Sequence, residues 1–308
     1  MGQPDSDGLL VSSLRAELSW HDLERERIMA KLISLAVLAL ALLTLVPVSE
    51  VQSSTATRDN NLAMGNPSAA TTSTSNSNNY LMVKSQYAIS YNRSKATPNW
   101  ASWHLSSAWL GSTPRQDDFR ADTSLPSSWY RVSASSYSGS GFDRGHLCPS
   151  ADRTGSVTDN SATFLMTNMM PQSPRNNRIT WENLESYCRT LARNGNELYI
   201  ICGPGGQGGT GTNGYATTID SGRIVVPSFT WKVILILPNG SNDVSRVTTS
   251  TRTIAVRVPN DESHNTSWGL YRVSVRSLEQ TLGYNFFSQV PQSIQDVIET
   301  RVDNGPTN

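Results

Sequence analysis

Gly141-Phe142-Asp143-Arg144-Gly145-His146 opens the stretch on which the reading of this chain turns. One histidine stands behind an Asp-Arg-Gly triplet, and the apolar run Ala162-Thr163-Phe164-Leu165-Met166 follows it. Asn176-Asn177-Arg178 comes next, then Trp181, Leu184, Glu185, Tyr187, Cys188, Arg189 and Leu191 at helical spacing, closed by Gly195. A candidate base, a neutral oxygen donor, an acid and several arginines therefore share one short stretch, which is in outline a phosphate-cleaving set. Asp143 can fix an imidazole or a neighbouring backbone, Arg144 supplies a cation near an anion, and Gly145 permits a tight backbone beside the histidine.

On either side the pattern is that of strands. Tyr80-Leu81-Met82-Val83, Tyr87-Ala88-Ile89-Ser90-Tyr91 and the alternating Asn99-Trp100-Ala101-Ser102-Trp103-His104-Leu105 read as strands before it. After it, Glu197-Leu198-Tyr199-Ile200-Ile201-Cys202 is apolar enough for an interior strand, and residues 225–237 form a second buried strand region broken at Pro227. Thr253 to Val258 alternates. Ser274 to Gly283 and Gln292 to Val302 carry helical spacing. The glycines and threonines of residues 203–214 lack the Gly-Lys-Ser/Thr ending of a phosphate loop and read as a flexible surface insertion. Many strands, few helices and no βαβ alternation predict an α+β fold with a mainly antiparallel central sheet flanked by helices.

The N-terminal part has a different character. Leu32 to Val46 is apolar or small throughout, follows Arg25, Arg27 and Lys31, and ends at Pro47; it is shorter than the about 20 residues of a membrane span. It reads as a secretory signal over residues 29–53, with translation starting at Met29 and residues 1–28 a mis-assigned extension. Val51-Gln52-Ser53 offers small residues for cleavage. Residues 54–79 are rich in Ser, Thr, Asn and Ala, which predicts a disordered linker before a domain at 80–304. The protein is expected outside the cytoplasm, secreted or periplasmic, with no membrane contact once the signal is removed.

The net charge of zero conceals an asymmetry. Beyond Ser53 the chain has 18 acidic and 21 basic residues, mildly basic and far from the excess of a protein that coats DNA. The charged loop Arg115-Gln116-Asp117-Asp118-Phe119-Arg120 reads by itself as solvated surface.

Asp143-Arg144-Gly145-His146, then Pro149-Ser150-Ala151-Asp152-Arg153, Thr167-Asn168-Met169-Met170-Pro171-Gln172, Asn176-Asn177-Arg178, Trp181 and Glu185 resemble, in that order, the sugar-non-specific DNA/RNA endonucleases. That family includes mitochondrial endonuclease G and secreted bacterial nucleases, and the likeness is strongest to the exported nuclease of filamentous cyanobacteria. The resemblance implies a ββα-metal finger with His146 as general base and Asn177 as direct ligand of Mg²⁺ or Mn²⁺. Glu185 would hold the ion through water, Arg115 would reach the scissile phosphate, and Arg144 and Arg189 would be supporting cations beside Asp143. It further implies metal-dependent hydrolysis of DNA and RNA, single- and double-stranded, to 5′-phosphate and 3′-hydroxyl ends, with a protein inhibitor as a second partner class. The imidazole of His146 and the ion at Asn177 are expected to face each other across a gap one phosphate wide.

The residue types fit independently of the family. Mg²⁺ takes hard oxygen ligands and keeps most of its waters, so one amide oxygen and an outer carboxylate are enough. Asn177 and Glu185 lie eight residues apart, which puts them on roughly one side of a regular helix. The rival readings are a catalytically silent polyanion-binding protein on the same fold and a metal-dependent phosphatase of small esters. Of the three cysteines, Cys148 and Cys202 are expected to form a disulfide that clips the histidine strand to the sheet, leaving Cys188 buried and reduced.

Overall fold

The computed structural model describes residues 20–43 and 55–307, and the side chains of 34–43 are not described. The chain divides into two units at residue 52/53. The first holds a helix, α1 (Trp20–Leu43), which contains most of the predicted signal. The predicted cleavage positions and residues 1–19 lie outside the described residues. Among the described residues no helix is long and apolar enough to cross a membrane.

In chain order the second unit runs β1 (Tyr80–Val83), β2 (Ala88–Asn92), β3 (Thr97–Leu105), β4 (Asp143–His146), α2 (Val157–Ala162), β5 (Met169–Gln172) and α3 (Glu182–Arg193). It continues with β6 (Asn196–Gly205), the short pairs β7 (Gly209–Gly211) with β8 (Gly214–Ala216) and β9 (Thr218–Ile219) with β10 (Ile224–Val225), and β11 (Phe229–Pro238). Last come α4 (Asp243–Arg246), β12 (Arg252–Pro259), β13 (Arg272–Val273), α5 (Val275–Leu282) and α6 (Gln292–Ile298). Seven strands form one antiparallel sheet in the order β1-β2-β3-β6-β11-β12-β13. The predicted α+β class and antiparallel sheet are what the chain adopts.

Both faces of the sheet are covered, which is why β6 and β11 read as near-continuous apolar runs. Successive side chains of a strand point to opposite faces. Leu198, Ile200, Cys202 and Ile234 pack with Trp181, Leu184 and Cys188 on one face, where α3 lies. Tyr199, Ile201, Trp231, Val233 and Leu235 pack with Val275, Leu278, Phe286, Phe287 and Ile298 on the other. The glycine stops behave as read: Gly195 and Gly283 adopt φ of 86° and 72° just beyond α3 and α5.

Two expectations are corrected. Residues 55–79 are not a loose linker but a strap packed on the sheet. Met64 and Ala70 are buried with the Phe286–Phe287 core, and Thr71 bridges Tyr80. The polar side chains supply the rest. The Asn61 amide accepts from the His104 backbone and donates to Ser85, and Ser68 accepts from the Trp100 indole. Residues 203–214 are likewise built in: β6 extends through Gly205, and the β7–β8 hairpin docks on Gly141 through the Thr212 backbone N–H.

The Cys148–Cys202 disulfide is also corrected, since all three cysteines are free and buried. Cys202 turns its Sγ toward the Leu147 carbonyl, at 3.5 Å, so the two residues share one core without joining their sulfurs. Thiol titration in denaturant without reductant should therefore return three thiols per chain, with slow reaction in the native state; a single thiol would restore the bridge.

Candidate active site

β4 and β5 form a separate antiparallel hairpin, pairing Asp143 with Gln172 and His146 with Met169. The chain leaves β5 into a π-helical turn, Asn176–Trp181, which continues as α3. Strand, strand and helix thus give the expected ββα unit. Gly145 is required by close approach and not by its backbone angles: a Cβ there would stand 2.3 Å from the Gln172 Oε1. Gln172 in turn donates to Asn176 Oδ1 and fixes the wide turn from which Asn177 projects.

Asp143 joins hairpin to helix. Its carboxylate accepts from Asn177 Nδ2 at 2.9 Å and from the Arg178 guanidinium at 2.8 and 2.7 Å. With the amide nitrogen so engaged, Asn177 Oδ1 accepts no hydrogen bond among the described residues. It stands on the wall of a cleft of about 320 Å³ that Arg115, Asp117, Phe119, Tyr137, Asp143 and Arg144 also line. Ser150 Oγ accepts from Arg115 Nη1 at 2.9 Å, and Asp117 accepts from its Nε at 2.6 Å.

His146 lies behind this wall and does not line the cleft. Its ring packs edge-on to Phe164 and against Phe119, with centroids 5.0 and 5.6 Å away, and its buried Nε2 has no hydrogen-bond partner. Arg144 stacks on Phe119 at 4.0 Å. Phe119 both lines the cleft and packs against His146, so the structure places the imidazole behind the cleft wall instead of in the open gap expected across from Asn177. Burial first, then the charges of Arg115 and Arg144, lower the imidazole from 6.5 to about 3, so it is neutral at physiological pH. Between those two values the unfolded chain takes up a proton that the folded chain refuses, so stability falls as pH drops through that window.

Glu185 and Arg189 point elsewhere. The π turn breaks the regular eight-residue phase, and Glu185 faces the sheet instead of Asp143. Lys232 Nζ lies 3.6 Å from its Oε1 and Arg189 Nη1 lies 4.0 Å from its Oε2. Arg189 also pairs with the buried Asp152 at 3.2 Å. Burial pushes the Glu185 carboxyl up to about 7 against the pull of Lys232 and Arg189. Among the described residues its carboxylate accepts no hydrogen bond. Among the described residues one three-residue group has metal-ligand donor atoms within 4.8 Å of one another: Asp59, His104 and Glu197. It lies across the sheet, since His104 alternates with Trp103 and packs on Tyr199, and it includes neither Asn177 nor Glu185.

Residues 64–293 match the family model described as DNA/RNA non-specific endonuclease. The chain belongs to the DNA/RNA non-specific endonucleases. It is thus a nuclease, as the order of motifs implied. It is 53% identical over 243 residues to a nuclease of Nostoc sp., covering 79% of this chain and 86% of that one. It is 32% identical to nuclease C1 of Cunninghamella echinulata, over 69% and 84% of the two chains. A solved EndoG, in complex with EndoGI, shares the fold: TM-score 0.62 at 24% identity, over 75% of this chain and 91% of that one.

Read as a nuclease site, the cleft gathers Arg115, Asp143, Arg144 and Asn177, keeps His146 one ring away, and seats Glu185 and Arg189 in an ionic layer behind. Two contributors escaped the sequence reading. Phe119 was one apolar residue in a charged loop. Lys232 was a lone charge inside the apolar run of β11, a signal visible in the sequence. If the ring limits access, Phe119→Ala should make His146 react several-fold faster with diethyl pyrocarbonate, as followed by peptide mapping; equal rates would show that the ring is no barrier.

Proposed function

We propose that this chain is an exported, metal-dependent endonuclease that hydrolyses DNA and RNA, single- and double-stranded, without regard to sequence, leaving 5′-phosphate and 3′-hydroxyl ends. The supporting observation is the cleft: two guanidinium groups and an amide oxygen that accepts no hydrogen bond among the described residues line a space large enough for a phosphodiester, with a neutral imidazole behind it. The donor set fits Mg²⁺ or Mn²⁺, because Asn177 offers a free hard oxygen and Glu185 a carboxylate that, although flanked by Lys232 and Arg189, accepts no direct hydrogen bond among the described residues. Asn177 would bind the ion directly and Glu185 through water, and the ion when bound would stabilise negative charge developing on the leaving O3′.

The rest is the work of the chain's own groups. Arg115, oriented by Ser150 and Asp117, bears on the non-bridging oxygens, and Arg144 adds a second cation on the same wall. Neutral His146 takes the proton of the attacking water, which requires Phe119 to turn aside. Because water and not a ribose hydroxyl attacks, both sugars serve. Recognition rests on phosphate contacts, so activity falls with salt. The apolar run Leu32–Val46 supports export. A protein inhibitor in the producing cell belongs to the same reading.

A supercoiled plasmid and an RNA incubated with Mg²⁺ should both be degraded, and EDTA should stop both; binding without cleavage would favour the polyanion-binding alternative. His146→Ala should lower the rate by about 10²–10⁴-fold, the usual worth of acid–base catalysis. Asn177→Ala should raise the divalent-ion concentration needed for half-maximal activity, and an unchanged metal titration would remove it as a ligand.

A further inference from the structure

Lys232 is only 1% exposed and sits mid-strand in β11, on the face that packs against α3. Burying an ammonium costs several kcal/mol unless it is well paired, and a hydrophobic residue of similar volume is often as stable or more so. Stability alone therefore gives no reason for a lysine there. What surrounds it does. Its Nζ lies 4.3 Å from the Trp181 ring centre, 5.7 Å from that of Trp103, and 3.6 Å from Glu185 Oε1. The two tryptophans line the ammonium with π faces, which attract a cation without supplying hydrogen-bond acceptors. Its carboxylate partner is then Glu185.

From the other side, Glu185 is flanked by Lys232 and Arg189 at 3.6 and 4.0 Å, beyond direct hydrogen-bond length. The two cations contribute charge without making a direct hydrogen bond to the carboxylate. Arg189 is shared with Asp152 and Glu182. Lys232 has no second carboxylate in range among the described residues.

We propose that Lys232 is a positioning residue of the nuclease site: its buried ammonium holds the Glu185 carboxylate in place without a direct hydrogen bond to it. This rests on the reading of Glu185 given above. Lys232 touches neither substrate nor ion and acts through Glu185 alone.

A double-mutant cycle tests it, using Lys232→Met, Glu185→Gln and the pair, each in the full chain. Two readouts serve: the kcat and KM for plasmid cleavage, and Mn²⁺ binding to the free protein followed by electron paramagnetic resonance. K232M should lose at least ten-fold in kcat with little change in KM for DNA, and should bind Mn²⁺ more weakly. In the E185Q background the lysine should matter no longer, so that the pair matches E185Q in turnover and in Mn²⁺ affinity. The pair removes both buried charges and so keeps a folded reference even where K232M alone leaves an uncompensated carboxylate. K232M with unchanged kcat and Mn²⁺ binding, or effects that multiply independently in the pair, would overturn the proposal. A silent E185Q would instead remove Glu185 from the site reading, and the Lys232 proposal with it.

Discussion

The carboxylate of Asp143 holds this site together. It accepts three hydrogen bonds from Asn177 and Arg178, residues that lie 34 and 35 positions away in the chain. The hairpin and the helix share no sheet; Gln172 ties β5 to Asn176, and the Asp143 carboxylate ties β4 to the residues that follow. By engaging the amide nitrogen it also leaves Asn177 Oδ1 as the free end of the side chain. One carboxylate therefore links the histidine strand to the helix and decides which atom of the amide the cleft receives. Because Arg178 is largely exposed, its half of the interaction is screened; the half-buried contact to Asn177 carries the geometric weight.

Behind the cleft lies a layer of buried charge. Asp152, Glu185, Arg189 and Lys232 are each at most 9% exposed, and Asp152 accepts from the Trp103 indole as well as from Arg189. Such a layer is poor material for stability, since desolvation offsets most of the attraction. The molecule tolerates it because the sheet is covered on both faces, and the apolar packing of Trp103, Trp181, Ile200 and Ile234 surrounds it. Core and site are thus one construction.

Strands and helices were legible because their signals are local. The alternation in β3, the apolar runs of β6 and β11 and the glycines after α3 and α5 each act within a few residues. The strap at 55–79 was not, and its composition shows why. Low hydrophobicity predicts disorder when burial is the only source of order. Here Asn61, Asn66, Ser68 and Asn79 satisfy backbone and side-chain groups of the segment and of the sheet beneath it, so a few apolar anchors suffice. The disulfide failed for a related reason: sharing a core makes two residues neighbours but does not say which way a sulfur turns. The site residues were legible by type and order, while their orientation depended on a π turn that spacing alone does not reveal.

The packing of Phe119 against His146 bears on how a buried imidazole senses the charge in the cleft. Burial first, and then the guanidinium groups of Arg115 and Arg144, suppress proton uptake by the imidazole, and both arginines line the cleft. A phosphodiester against them offsets their charge, and the suppression weakens when substrate is present. Arg144 also stacks on the ring that covers His146, so drawing that guanidinium to an anion removes one face of the contact holding Phe119 in place. Arg144 thus joins the cleft wall to the packing around His146, so the charge in the cleft and the surroundings of the imidazole are physically linked.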